Sequence, residues 1–464
     1  MIAWRYATAI RGLLAGPAAS TARLRDYQQR RLRSLVRHAW ERVPFYRRLF
    51  ERAGIEPRDI RTLADLQHIP CTSRADLQGL PPGDLLARGW RLEQLVIHPT
   101  SGSSGAPLVI RRTPLEDRLL QACRLRVLFR LGMRWRDRRA AVVSETPTRP
   151  SLWEKAGLLR YREISCLLPS ESILARLREI RPDVLRGYPA TLSWLAADMT
   201  GADRALIRPR LVTTDSESVT EDMRSRIGEA FGAPVVDFYD SNEFNMIAWE
   251  CPAGLYHLSG ATVLGEVVRD DGRHATPGEA GEFVGTALHS WAMPFLRYRQ
   301  GDIVTAGPEK CVCGLPGATI REIRGRVGDR FQLERGESIH PYALIEPLMR
   351  AAPWLRQYQM VQEKPDLLRV RVSRLPGAPP AAECLLTVQR VVEQASGARL
   401  RVQAEMVDRI HPEASGKFRP WSSLLTRSPA DVPRTPREQA AIGPSLPSAP
   451  PPTPGCSSPV GSPD

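Results

Sequence analysis

Thr100-Ser101-Gly102-Ser103-Ser104-Gly105-Ala106-Pro107 stands between two apolar triplets, Leu95-Val96-Ile97 and Leu108-Val109-Ile110. The triplets predict two strands, and the octapeptide is the tight loop that joins them. Glycine at 102 and 105 lets the backbone turn its amides inward, and the hydroxyls between them add donors. Such a loop suits a polyanion. A Ser/Gly run is also the composition of a flexible linker, but the flanking strands argue for the cradle. The loop lacks the Gly-Lys-Ser/Thr ending of a Walker loop, so it is not that nucleotide signature.

With 464 residues, 42% of them hydrophobic, the chain can bury a large core and is expected to form more than one domain. No apolar run approaches the ~20 residues of a membrane span. Arginine breaks the N-terminal stretch Met1-Ile2-Ala3-Trp4-Arg5, so no secretory signal is expected. The eight cysteines are then expected as thiols in a reducing cytoplasm. The net charge of +14 comes from scattered residues without an aromatic-interleaved patch, so no nucleic-acid partner is expected. Nearly all the cations are arginine, and Lys155, Lys310, Lys364 and Lys417 are the four lysines. In such a chain a retained ammonium points to a demand for a compact donor on a flexible stem.

Residues 21–53 read as basic amphipathic helices with a stripe of Leu24, Leu32, Leu35 and Val36. From about 90 to 320, short apolar strands such as Ala140–Val143, Leu211–Thr214 and Val235–Tyr239 alternate with helical stretches. The fold class is therefore α/β, with sheets covered by helices. After Asp329 the pattern changes to a helix at 341–350, strands from Leu355 and across Leu368, Val370 and Val372, and a helix near 380–395. A last strand alternates Leu400, Val402, Ala404 and Met406. That order suits a small α+β, ferredoxin-like domain. Expected boundaries are a large domain 1–326, a hinge 327–330, a mobile C-terminal domain 331–427 and a disordered Pro/Ser-rich tail 428–464.

The octapeptide resembles the phosphate loop of the adenylate-forming (AMP-binding) superfamily, and four further segments follow in that family's order. Tyr239-Asp240-Ser241-Asn242-Glu243 is similar to its Tyr-Gly-x-Thr-Glu motif, and Arg297-Tyr298-Arg299-Gln300-Gly301-Asp302 to Arg-Tyr-Arg-Thr-Gly-Asp. Gly325-Arg326-Val327-Gly328-Asp329 resembles Gly-Arg-x-Asp-Asp, and Ser415-Gly416-Lys417-Phe418-Arg419 the C-terminal Gly-Lys segment. Ala39-Trp40-Glu41-Arg42-Val43-Pro44-Phe45-Tyr46 with Ile69-Pro70 is similar to the phenylacetate–CoA ligase branch. The resemblance implies an ATP-dependent acid–thiol ligase. It would convert a small-molecule carboxylate to an acyl-AMP and pass the acyl group to a thiol, most simply coenzyme A. Alternatives are a carrier protein, a polysaccharide precursor or a cofactor as acceptor, or a degenerate homologue that only binds nucleotide. A homodimer is plausible.

Site roles follow from the same resemblance. Thr100, Ser101, Gly102, Ser103, Ser104 and Gly105 would hold the β- and γ-phosphates, and Glu243 a Mg²⁺ ion. Tyr239 would lie against adenine, Asp302 would accept the ribose hydroxyls, and Arg326 would sit near ribose or phosphate. Lys417 would neutralise charge between the attacking carboxylate and the α-phosphate. Singly, each has a plain structural reading; their order and spacing carry the assignment. Three positions depart from the family. Asp240 replaces glycine beside the adenine and acyl pocket, where it would narrow the pocket, select a polar or cationic substrate, or weaken activity. Asn242 replaces threonine near the α-phosphate, and Gly328 replaces the hinge aspartate.

Cys251, His257, Cys311 and Cys313 supply the four N/S ligands of a closed zinc site, in Cys-x₅-His and Cys-x-Cys spacing. They also resemble the zinc-binding element of phenylacetate–CoA ligase-like proteins, so a structural Zn²⁺ is expected there. Cys71, Cys123, Cys166, Cys384 and Cys456 show no ligand spacing.

Overall fold

The computed structural model describes residues 20–99, 108–144, 152–326, 330–410 and 418–425. The phosphate loop at 100–107, positions 327–329 of the hinge, Lys417 and the C-terminal tail lie outside the described residues.

The predicted N-terminal stripe folds as a helix, Thr21–Arg42, whose cap Ser20 accepts a hydrogen bond from the Arg23 amide. Leu24, Leu32, Leu35 and Val36 are all buried. Pro44 opens a second helix, Pro44–Ala53, which ends at Gly54 in the left-handed region. Tyr46 ties this pair to the body: its hydroxyl donates to the Pro294 carbonyl and accepts from the Leu296 amide, at 3.1 and 2.9 Å. Strands β1 (Val96–Pro99) and β2 (Val109–Arg112) pair antiparallel on either side of the phosphate loop, as their apolar triplets predict.

The main sheet has eleven strands: β3 (Arg139–Val143), β4 (Tyr161–Ser165), β5 (Val184–Gly187), β6 (Leu211–Asp215), β7 (Val235–Ser241), β8 (Asn245–Glu250), β9 (Tyr256–Leu258), β10 (Val263–Val268), β11 (Ala280–Ala287), β12 (Tyr298–Ala306) and β13 (Thr319–Arg326). Their order in space is β10-β11-β12-β13-β9-β8-β7-β6-β5-β3-β4. From β4 to β7 the strands run parallel, and from β7 to β10 each pair is antiparallel. Helices Ser170–Ile180, Pro189–Asp198 and Glu221–Phe231 connect the parallel half. All five residues of β6 are consequently buried, as expected for a strand covered on both faces. The reversal at β7 brings the carboxyl ends of β5, β6 and β7 to one open rim, where α/β sheets present ligand crevices.

The C-terminal part begins with the short pair β14 (Phe331–Gln332) and β15 (Ser338–Ile339). A four-stranded sheet follows, from β16 (Leu355–Lys364), β17 (Leu367–Arg374), β18 (Arg401–Met406) and β19 (Trp421–Ser423), in the order β18-β17-β16-β19. Helices Tyr342–Ala351 and Ala381–Ala395 pack on it through Leu344, Leu348, Val388 and Val392 against Met360 and Val370. Every element read from the apolar pattern is present. Strand β19 was not read, because three residues of Trp-Ser-Ser carry no alternation; its place is set by parallel pairing of Trp421 with Met360. Among the described residues no helix is long and apolar enough to cross a membrane.

Candidate active site

A cleft of about 1520 Å³ opens at the rim of the main sheet, with the C-terminal part as its second wall. Tyr239, Asp240, Asp302 and Arg326 line one side of it, and Met349, Phe418 and Arg419 the other.

Asp302 is where three of the motif segments meet. The Tyr239 hydroxyl, from β7, donates to its Oδ2 at 2.6 Å. Arg326, at the end of β13, places Nε 3.3 Å from its Oδ1. Asp302 itself follows Gly301, whose φ of +80° makes the turn within β12 that a side chain would strain. Burial, then the charge of Asp302, pushes the Tyr239 phenol well above its ordinary value, so it stays a donor. The Arg326 side chain is about half exposed, at 48%, and so can still reach a ligand.

Glu243 is buried, and its nearest donors stand at the outer limit of hydrogen bonding: Tyr298 Oη at 3.4 Å and Gln300 Nε2 at 3.5 Å. A buried carboxylate so loosely held fits a hard cation that takes oxygen ligands. Asn242 is exposed beside it, its carbonyl accepting from Arg112. Arg297, at the start of the segment that carries Tyr298 and Gln300, has a different task. It is buried against Glu266 and the carbonyls of Gln67 and Ile69.

Asp240 is not the free carboxylate that its sequence position implies. Arg124 pairs with it and, through Nη2, with Asp215 at 3.0 Å. Arg186 completes the group, with Nε and Nη2 at 2.5 and 3.1 Å from the two Asp215 oxygens. Burial opposes ionisation of Asp215, but Arg186 and Arg124 override it and hold the carboxyl well below the usual range. For Asp240 burial wins over Arg124, with the Asp215 charge adding to it, and its pKa is raised. At the cleft rim two arginines and two aspartates are thus paired with one another. Selection of a cation by Asp240 alone does not follow from this arrangement.

Beneath the rim, Asp237 accepts from the hydroxyls of Thr214 and Tyr256. Its amide donates to Glu250, which Arg224 also holds at 2.8 Å. Burial pushes the Asp237 carboxyl up from 3.8 to about 7.

The four soft ligands assemble as their spacing predicts. The Cys251 and Cys311 sulfurs are 3.7 Å apart, and Cys313 Sγ is 3.2 Å from His257 Nε2. One ligand atom from each residue lies within 4.8 Å of the others. Two thiolates sharing an edge of a tetrahedral zinc stand about 3.8 Å apart, so the set fits that ion. Burial, with Arg130 nearby, pushes His257 below its ordinary value and keeps the imidazole in its neutral, ligating form.

The residues missed by sequence reasoning are Arg124, Arg112 and Glu217 as a hydrogen-bond acceptor. None sits in a motif that would have signalled its role.

No family model matches the chain. In fold it is like the 2-hydroxyisobutyryl-CoA ligase. The TM-score is 0.73 in that enzyme's postadenylation state, at 22% identity over 88% of this chain and 90% of that one. In the thioesterification state of the same ligase it is 0.60, at 21% identity over 88% and 91%. The fold is thus that of this ligase. In sequence the chain is 29% identical to the phenylacetate-coenzyme A ligase of Escherichia coli over 364 residues, 74% of this chain and 80% of that protein. It is 28% identical to that of Thermus thermophilus, over 75% and 80%. In sequence the chain is therefore similar to phenylacetate-coenzyme A ligases, in agreement with the resemblance of its motifs.

Asp237 yields a pH-dependent prediction. Its folded pKa of about 7 exceeds the ordinary 3.8, so the native state holds the proton more tightly. Stability is lost as pH rises between those values, by about 1.4 kcal/mol per unit at most, and levels off above 7. Asp237→Asn mimics the protonated form. Its melting temperature relative to the unsubstituted protein should rise from pH 5 to pH 8; a pH-independent difference contradicts the assignment.

Proposed function

We propose that this chain is an ATP-dependent, AMP-forming acid–thiol ligase that activates a carboxylic acid and transfers its acyl group to coenzyme A. The observation that carries the reading is the meeting of Tyr239, Arg326 and Asp302 in a cleft that also receives Phe418, the residue after Lys417. A carboxylate oxygen attacks the α-phosphorus of ATP, the bond to pyrophosphate breaks, and acyl-AMP forms. The coenzyme A sulfur then attacks the acyl carbon, AMP leaves, and the thiol proton passes to solvent. No side-chain nucleophile is required; positioning and charge neutralisation supply the rate.

In this reading the ribose hydroxyls donate to Asp302, whose orientation Tyr239 and Arg326 hold. Tyr239 presents its ring toward adenine. Thr100 through Gly105 cradle the β- and γ-phosphates, with Asn242 near the α-phosphate and Asp240 beside the acyl group. Glu243 would hold Mg²⁺, an ion that offsets charge on phosphate oxygens when bound. Lys417 neutralises the two anions that approach one another. The domain limits of 1–326, 327–330 and 331–427 belong to the same reading, with Gly328 free to absorb a change of backbone angles. Such an enzyme works where ATP and coenzyme A are held, in the cytoplasm.

Trapping with hydroxylamine tests the reaction. With ATP, Mg²⁺ and a panel of aryl and aliphatic acids, at least one acid class should give a hydroxamate, and Lys417→Ala should lower its rate by two orders of magnitude or more, about the loss of one preorganised charge contact. A panel that gives none, with ATP still bound, contradicts the proposal.

We further propose a structural zinc on Cys251, His257, Cys311 and Cys313, which would pin the β8–β9 connection to the segment before β13. All four positions of a tetrahedral ion are then filled, leaving none for substrate. Elemental analysis of the purified protein should find about one zinc per chain, lost in Cys311→Ser together with thermal stability. Metal-free protein of unchanged melting temperature rules the site out.

A further inference from the structure

Glu217 joins the two parts of the molecule, and no step of the reaction described so far uses it. It lies just beyond β6, half-buried at the cleft rim. Its Oε2 accepts from the Ala190 amide at 3.2 Å, in the first turn of the helix Pro189–Asp198. Its Oε1 accepts from the Phe418 amide at 2.7 Å. A carboxylate near a helix N-terminus is held in place by the amides and dipole there, and its bond to a second amide is charge-assisted and short.

The remaining contacts around Phe418 agree. Its ring is buried with Ala190, Trp194 and Ile410, and meets Trp194 edge-on at 5.3 Å. Arg356 of β16 reaches Asp198 at 2.5 Å, at the far end of the same helix. From the other side, the Met360 amide donates to the Pro420 carbonyl at 2.8 Å and Gln359 Nε2 to that of Arg419 at 3.3 Å. Phe418, Arg419 and Pro420 are thus tied to the C-terminal sheet by the Met360 and Gln359 bonds, and to the body of the main sheet by Glu217 and the Trp194 seat.

We infer that Glu217 is a positioning residue for adenylation: by capturing the Phe418 amide it holds the segment that carries Lys417 against the nucleotide side of the cleft. The inference rests on the adenylating reading of the site. The solved ligase whose two states are compared above resembles this chain more in its postadenylation state than in its thioesterification state. In this inference the contacts that bridge the two parts belong to the adenylation arrangement and part for the second half-reaction. Glu217 then serves one half-reaction and not the other, which separates it from a residue that merely stabilises the fold.

Glu217→Ala, Glu217→Gln and Phe418→Ala would be assayed in two halves. The first is hydroxamate formation from phenylacetate, ATP and Mg²⁺ without coenzyme A. The second is AMP release from synthetic phenylacetyl-adenylate with coenzyme A. Glu217→Ala should lose about tenfold to a hundredfold in the kcat of the first half, the range of one charge-assisted hydrogen bond, with KM for ATP unchanged and the second half intact. Glu217→Gln keeps one acceptor and should fall between, and Phe418→Ala should repeat the pattern. Equal losses in both halves, or an unaffected first half, overturn the inference. Small-angle scattering with ATP and Mg²⁺ reads the latch without turnover, so a failure of the parent protein to use phenylacetate indicts the substrate rather than the latch. Glu217→Ala should show a larger radius of gyration than the parent; superimposable curves overturn the inference.

Discussion

A carboxylate taken out of water must be answered by donors, and at Asp302 the answer comes from two other strands. Tyr239 reaches it from β7 and Arg326 from β13, while the left-handed turn at Gly301 aims it from β12. For this to happen β7 and β12 must share one sheet, though 63 residues separate the two side chains. The sheet achieves it by changing from parallel to antiparallel at β7, so that β8, β9 and β13 fill the space between them. The same reversal leaves the rim open. A sheet that stayed parallel would need a crossover at each step and would cover it.

Around that centre the rim is crowded with acids, and their environments separate their roles. Asp215 is fixed as an anion by two arginines, Asp237 is driven toward its neutral form by burial, and Glu243 is buried with only distant donors. Asp215 is thus paired with arginines at the rim, while Glu243 meets Tyr298 and Gln300 at the longer distances of 3.4 and 3.5 Å. Among the described residues, Glu217 to Phe418 and Arg356 to Asp198 are polar contacts that bridge to the second wall of the cleft. Such a contact set suits an interface that opens and closes.

Much of this was legible in the sequence because the chemistry ties residue types to short spacings. Gly301-Asp302 and Cys311-Val312-Cys313 each signal within a few positions. Strand and helix types followed from alternation, as in Leu368, Val370 and Val372, all buried. Pairings over distance left no such mark. Arg124 finds Asp240 116 residues away, and Glu217 finds Phe418 201 residues away. An arginine in a chain rich in arginine announces nothing. The pairing of Asp240 with Arg124 could not be read for the same reason.

The most direct measurement follows an oxygen atom. Phenylacetate, and in parallel benzoate, labelled with ¹⁸O in both carboxylate positions would be turned over with ATP, Mg²⁺ and coenzyme A, and the products weighed by mass spectrometry. Attack of the carboxylate on the α-phosphorus leaves one labelled oxygen in AMP, and the account predicts that outcome. Unlabelled AMP, or label in orthophosphate beside ADP, would contradict it.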